Sequence, residues 1–217
     1  MPFCGHACYT CTMKNARLIF INGAPGTGKS SVSRALQKML PRCALLDGDD
    51  VWNLRPFSVT EKSRELALAN MSAVLKNYLG SGLASNVLFC WVMHERPIPE
   101  ELLRRIRHEG DFSLFTLTCG EEELKRRILA EEESGARRKG GLPLALRRAE
   151  QVQKNFPDAL DTAGRKPEEC AHILAERIFA EDAAVKFYDS LPPEAKEIRE
   201  EVFMREQGFA SEFDGKD

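Results

Sequence analysis

Gly23 to Ser30 read GAPGTGKS, which fills every fixed position of the pattern G-x-x-x-x-G-K-[ST]. The residues before it, Arg17 to Asn22 (RLIFIN), have the length and apolar character of a short buried strand. Those after it, Ser31 to Leu40, place Val32, Ala35, Leu36, Met39 and Leu40 at helical spacing. Strand, glycine-rich turn and helix is the context that separates a phosphate-binding loop from a chance match.

Each residue type has a physical reason to be there. Gly23, Gly26 and Gly28 allow turns closed to residues with a Cβ, so that successive backbone N–H groups face an anion. Ala24, Pro25 and Thr27 complete the cradle. The helix that starts near Lys29 contributes its unpaired N–H groups and the positive end of its dipole. Lys29 supplies a mobile positive charge for β- and γ-phosphates, and the Ser30 hydroxyl is placed to ligate Mg²⁺. Ser31 receives no role. The expectation is a site for a nucleoside triphosphate with Mg²⁺.

The 217 residues suffice for one full α/β domain and a smaller second piece. A hydrophobic share of 43%, a charged share of 29% and a net charge of −2 fit an ordinary globular protein. They give no global basic field to draw the chain to nucleic acid or an anionic membrane. No apolar run approaches the roughly 20 residues of a membrane-spanning helix. The start, MPFCGH, lacks the charged and apolar regions of a secretory signal. Of seven cysteines, Cys43, Cys90, Cys119 and Cys170 lie in apolar segments where a free thiol packs as a small hydrophobe, which suits a reducing cytoplasm. Cys4, Cys8 and Cys11, with His6 between them, have the spacing of a soft-metal site, although a flexible tail is the reading preferred for them.

Further along, Cys43 to Asp47 reads as a second strand that runs into the acids of Asp47-Gly48-Asp49-Asp50. Thr60 to Ser63 reads as a helix start, followed by a helix over 64–79 with Leu66, Ala69, Asn70, Ala73, Val74 and Leu79 near helical spacing. Asn86 to Met93 (NVLFCWVM) is apolar throughout, as in a strand covered on both faces. A helix opened by Pro97 and Pro99 should run to His108, then a strand over 112–118 and a charged helix over 121–133. A basic, glycine-containing segment, SGARRKGG, covers 134–141. A helix over 144–156, a short strand within 158–162 and a helix over 167–180 complete the unit. Strands alternating with helices imply βαβ units and a parallel sheet of about five strands with helices on both faces. Ligands of such sheets bind beyond the carboxyl ends of the strands. There Asp47 can hold a metal-bound water or accept a proton from an attacking hydroxyl, although Asp and Gly also favour plain turns.

The phosphate loop, the following DGDDVW and the basic segment before the last strand together resemble the small-molecule branch of the P-loop kinases. Shikimate kinase, gluconate kinase, adenylylsulfate kinase and chloramphenicol phosphotransferase belong to it. The resemblance implies the three-layer P-loop NTPase fold and ATP-dependent transfer to a hydroxyl of a small-molecule acceptor. It assigns Asp47 to the metal and the reacting hydroxyl, Asp49 to the acceptor, and Arg55 and Arg64 to the acceptor as well. The basic segment becomes a lid, drawn from Arg126, Arg127, Arg137, Arg138, Lys139, Arg147 and Arg148. Arg137 or Arg138 would make the catalytic contact with the γ-phosphate, and Gly135, Gly140 and Gly141 would act as hinges. Part of that charge is equally a solvated helix surface with pairs such as Glu122 with Arg126. Asp161, Thr162 and Pro167 resemble the adenine-side loop. One departure is that the third strand ends in Val92-Met93-His94 without the aspartate of many P-loop proteins; His94 and Glu95 are candidates for the acceptor pocket.

A second resemblance covers about the last 35 residues. The stretch 195–209 (AKEIREEVFMREQGF), with Glu212, Phe213, Asp214 and Asp217, is similar to the opening of a GNAT N-acetyltransferase. The loop for acetyl-CoA pyrophosphate is missing, so that segment is expected to be inert as an enzyme. The expected division is a tail over 1–14, a kinase domain over 15–181 and a short βα extension of GNAT type over 182–217. Two alternatives stand beside the small-molecule kinase: a nucleoside or nucleotide kinase, and a P-loop ATPase or nucleotide-binding module without an acceptor.

Overall fold

Five strands lie among the described residues, and in the central ones, apolar on both faces, the period of two sorts side chains between two cores. They are β1 (Arg17–Gly23), β2 (Cys43–Asp47), β3 (Asn86–Trp91), β4 (Phe112–Thr118) and β5 (Leu160–Asp161). All pair in parallel in the order β2-β3-β1-β4-β5, with Ile21 opposite Cys90 and Asp47 opposite Cys90 across the other edge. This is a computed structural model and it describes residues 16–182. The Cys4/His6/Cys8/Cys11 site and the GNAT-like segment fall outside the described residues. The chain divides into two units, Met1–Ile178 and Phe179–Asp217, and the whole sheet belongs to the first.

One core gathers Ile19, Ile21, Leu88, Cys90 and Leu117 against α1 (Lys29–Met39) and α6 (Pro167–Asp182), through Val32, Leu36, Ala171 and Leu174. The other gathers Leu18, Phe20, Val87 and Phe89 against α2 (Glu61–Gly80) and α3 (Pro97–Ile106), through Ala67, Met71, Leu75 and Leu102. A third, smaller cluster joins α4 (Glu121–Glu133) to α5 (Leu142–Asn155) through Leu124, Ile128 and Ala145, with Cys119 at the end of β4. The result is the three-layer P-loop NTPase fold, with the carboxyl ends of all five strands on one edge.

The helix start at Thr60 is as the sequence indicates. Thr60 Oγ1 accepts from Ser63 N at 3.1 Å and Ser63 Oγ accepts from Thr60 N at 2.9 Å, a reciprocal cap. The buried face of α2 differs from the expected one. Ser63, Ala67, Met71 and Leu75 face the sheet, whereas Leu66, Ala69, Asn70 and Ala73 are exposed, because the register follows the i, i+4 row and not the larger aliphatics. Strand β3 stops at Trp91, two residues early, and α3 ends at Ile106, where Arg107 turns left-handed at φ 55°. The cysteines at 43, 90, 119 and 170 are free and all but Cys43 are buried. No helix among the described residues is long and apolar enough to cross a membrane.

Candidate active site

Asn22 is the last side chain of β1 before the glycine loop, and it is fully buried. Its Oδ1 accepts from Gly23 N at 2.7 Å and from Met93 N at 2.8 Å, while its amide donates to Thr116 Oγ1 at 3.3 Å. A single amide thus fastens the start of the loop to the chain leaving β3 and to β4. The loop itself turns on the carbonyl of Ala24, which accepts from Thr27 Oγ1 and from Lys29 Nζ, both at 2.9 Å. Gly23 lies at φ +155°, where a Cβ would come within 2.6 Å of Thr27 Oγ1 and 2.7 Å of the Leu117 carbonyl oxygen. Gly26, at φ +85°, has no room beside Ile128 and Leu124. These positions therefore need glycine for space as well as for backbone angle.

Lys29 is partly buried, and its ammonium is withdrawn from water. Burial lowers it from 10.5 to about 8; Asp49 and Asp47 pull it upward and Arg137 opposes them. Next to it, Ser30 Oγ donates to Asp47 Oδ2 at 2.7 Å, joining the start of α1 to the end of β2. The other Asp47 oxygen accepts from Asp49 N at 3.2 Å, within a short 3-10 turn over Gly48–Val51. Asp49 Oδ1 accepts from Trp91 Nε1 at 3.1 Å. Lost hydration and the neighbouring Asp47 push the Asp49 carboxyl up, while Lys29 and the Trp91 N–H pull it down. Gly48 is needed because a Cβ there would meet the Trp91 ring at 2.7 Å. Beneath this group, burial and the Asp47 charge hold the Cys90 thiol at about 12, so it stays protonated between the two acids' strand and the loop.

Across the site, His94 and Glu95 follow β3. His94 Nε2 lies 3.5 Å from Glu95 Oε1, and its buried Nδ1 has no partner among the described residues. Burial and the charge of Arg148 hold the imidazole below its ordinary value, and Arg64 adds to this. Arg148 is itself held down by burial, with Glu95 opposing and Arg64 adding. Arg64, His94, Glu95 and Arg148 are therefore one electrostatic cluster, drawn from α2, the β3 exit and α5.

Of the sequence candidates, the loop, Asp47 and Asp49 come together, and Arg64 shares a field with His94, Glu95 and Arg148. Arg55 is exposed on the loop between Trp52 and Thr60. Arg137 lies near enough to act on Lys29 and is tied to Glu131 Oε2 at 2.7 Å, whereas Arg138 is exposed. Gly135 and Gly140 take positive φ, but Gly141 is in ordinary helical conformation with its N–H on Glu132. Arg126 pairs with Glu123, not Glu122, because the i, i+3 geometry allows both guanidinium edges to bond that carboxylate; Glu122 takes Lys125 instead. Arg127 is a brace. It donates to Glu123, to Thr162 Oγ1 at 3.0 Å and to the Thr162 carbonyl at 2.9 Å, while Thr162 Oγ1 reaches the carbonyls of Thr27 and Thr118.

Sequence reasoning missed Asn22, Cys90, Trp91 and the placement of Arg148. Two of these had a signal. Asn22 is a polar residue closing an apolar strand just before the glycine turn. Arg148 sits three residues after Ala145 and four before Val152, the two buried positions of α5, so a charge on that stripe has to face something.

The AAA domain family matches residues 19–153, more than half of the chain. The chain belongs to that family. No curated protein matches it. Among solved structures it is similar to the Deinococcus radiodurans tunicamycin resistance protein, with a TM-score of 0.58 and 18% identity over 75% of this chain and 95% of that one. It is similar to a gluconokinase from Sinorhizobium meliloti 1021, with a TM-score of 0.53 and 17% identity over 77% of this chain and 98% of that one. The Mycobacterium tuberculosis APS kinase, solved with AMPPNP and APS, gives a TM-score of 0.53 and 17% identity over 76% of this chain and 99% of that one. At these identities the likeness is one of fold.

Proposed function

We propose that the chain is an ATP-dependent phosphotransferase that moves the γ-phosphate to a hydroxyl of a small-molecule acceptor. The observation that carries this is the pairing of two different acids with one phosphate loop. Asp47 is bonded to the loop's Ser30, while Asp49 is turned to the Trp91 side and coupled to Lys29. A hydrolase or switch needs a metal acid; a second carboxylate aimed away from the metal position suits an acceptor hydroxyl. The kinases among the similar structures support the same class.

Ser30 Oγ and Asp47 are hard oxygen donors, and no group of three or more metal-ligating side chains occurs among the described residues. That set fits Mg²⁺, which takes one or two protein oxygens and completes its shell with phosphates and water. When bound, the ion neutralises charge on the β- and γ-phosphates. Lys29 releases the Ala24 carbonyl for those phosphates, and the loop N–H groups hold their oxygens. Asp49 orients the acceptor hydroxyl, and Asp47 or Asp49 takes its proton as oxygen attacks. The new P–O bond forms as the bond to the β–γ bridging oxygen breaks, and ADP leaves. Arg137, on the segment 134–141, closes over the γ-phosphate; Arg138 is the weaker candidate for that contact. Arg64, His94, Glu95 and Arg148 hold the acceptor, with Arg55 at the margin.

We also propose the division 1–14, 15–181 and 182–217, a cytoplasmic location, and no acetyltransferase activity for the last segment. Acceptor-dependent ADP release across hydroxylated metabolites, antibiotics and nucleosides tests the reading. Release driven by a nucleoside makes the chain a nucleoside kinase. ATP hydrolysis indifferent to every acceptor makes it an ATPase.

A further inference from the structure

Residues 52–59 present a ring surface beside Asp49 that phosphate chemistry does not use. Trp52 follows the turn carrying Asp49, with its N–H on the Asp49 carbonyl at 3.3 Å. Its indole meets Trp91 with 6.0 Å between ring centroids and Phe57 with 5.3 Å, both edge-on. Trp91 donates to Asp49 in turn. The rings run without a break from the acceptor carboxylate to the surface.

Two observations say that the surface is unfinished. Phe57 is 53% exposed, Val59 52% and Leu54 36%; single exposed apolar residues are ordinary, but three within six residues of a loop that leaves a site are not. The buried Nε1–H of Trp52 meets no acceptor among the described residues, a state that buried donors rarely tolerate. A bare polyol or sugar acid sets only scattered C–H groups against the rings, whereas an aryl group covers them.

We propose that this ring stack is the apolar subsite of the acceptor and that the acceptor is an aryl-bearing alcohol. Its ring packs on Phe57 and Trp52, a carbonyl or ether oxygen accepts from Trp52 Nε1, and its hydroxyl reaches Asp49. The proposal rests on the phosphotransferase reading and adds the chemical class of the acceptor.

The only two tryptophans of the chain are Trp52 and Trp91, so intrinsic fluorescence reports on this stack. The probes are matched pairs with and without an aromatic ring: phenyl and methyl β-glucoside, 3-phenylpropane-1,2-diol and propane-1,2-diol. Each is titrated into the full chain with Mg²⁺ and a non-hydrolysable ATP analogue, and each is assayed with ATP for ADP release. At least one ring-bearing member is expected to change tryptophan emission and to bind roughly tenfold tighter than its partner. That gap should close to within about twofold in Phe57→Ala, a half-exposed position whose truncation leaves the core intact. Trp52→Phe should weaken binding of the ring-bearing member and so narrow its preference over the ringless partner without closing it. ADP release with polyols alone, or a ring preference unchanged in Phe57→Ala, overturns the proposal and leaves the phosphotransferase reading standing. ATP binding with no ADP release from any pair counts against both.

Discussion

Between Asn22 and Ser30 the polar groups answer to the protein itself: the Asn22 amide, the Ala24 carbonyl, Thr27 against Thr162, Ser30 against Asp47. Between Trp52 and Arg64, and around His94 and Arg148, fewer of them do. There side chains stand exposed, or carry buried atoms without partners among the described residues, and the members come from three separate segments. The donor side is a backbone device, set before any ligand arrives. On the proposed reading the second region is the acceptor side, and the partners its side chains lack come from the ligand. Substitutions should therefore divide cleanly: those in the loop affect ATP, and those across the site affect the acceptor.

The largest effect is expected at Lys29. Lys29→Ala should lower turnover about 10³-fold and weaken ATP binding, since Lys29 is the cation bonded to the loop's own Ala24 carbonyl; steady-state kinetics and calorimetry check both. Asp47→Asn should cost roughly 10²- to 10⁴-fold in kcat and leave metal-free nucleotide affinity within a few fold. Lost affinity with an intact rate would move Asp47 to the nucleotide and blur the division.

Asn22→Leu should be the costliest change for stability, about 3 kcal/mol by denaturant unfolding, because it leaves the buried N–H groups of Gly23 and Met93 unpaired. Arg148→Ala should raise the KM of the acceptor roughly tenfold with the KM of ATP unchanged, in line with loss of one charge-assisted hydrogen bond. A matching rise for ATP would break the division between the two sides. Arg126→Ala, which removes only an exposed pair with Glu123, should change stability by less than about 0.5 kcal/mol.

A pH series sharpens the donor side. Lys29 titrates near 8 in the folded chain and at 10.5 when unfolded. Between those values the unfolded chain holds the extra proton, so stability rises with pH across that window. ATP affinity runs the other way and falls above about pH 8 as the ammonium is lost. Calorimetry in buffers of different ionisation enthalpy should show proton uptake on binding there, and Lys29→Arg should abolish it.

The same contrast explains what could be read in advance. Strand, loop and helix from Arg17 to Leu40 follow from local rules: glycines where a Cβ cannot fit, an apolar period, a lysine and a serine at fixed offsets. The acids after β2 follow from strand context. Arg127 and Arg148 did not separate from the other arginines of 126–148, because what distinguishes them is a contact with Thr162 and a shared field with His94, far away in sequence. Trp91 and Cys90 looked like core residues of β3, since a buried strand end reads the same whether or not it borders a site. The inward face of α2 was misjudged for a related reason: Ala67 and Ser63 are buried by where the sheet lies, not by their size.

The most direct test traces label from [γ-³²P]ATP in the presence of hydroxylated acceptors, with wild type and Asp49→Asn side by side. The account predicts label on an acceptor hydroxyl with wild type, and an acceptor KM raised in Asp49→Asn while ATP still binds. Label recovered only as inorganic phosphate, at a rate that no acceptor changes and that Asp49→Asn leaves untouched, would contradict it.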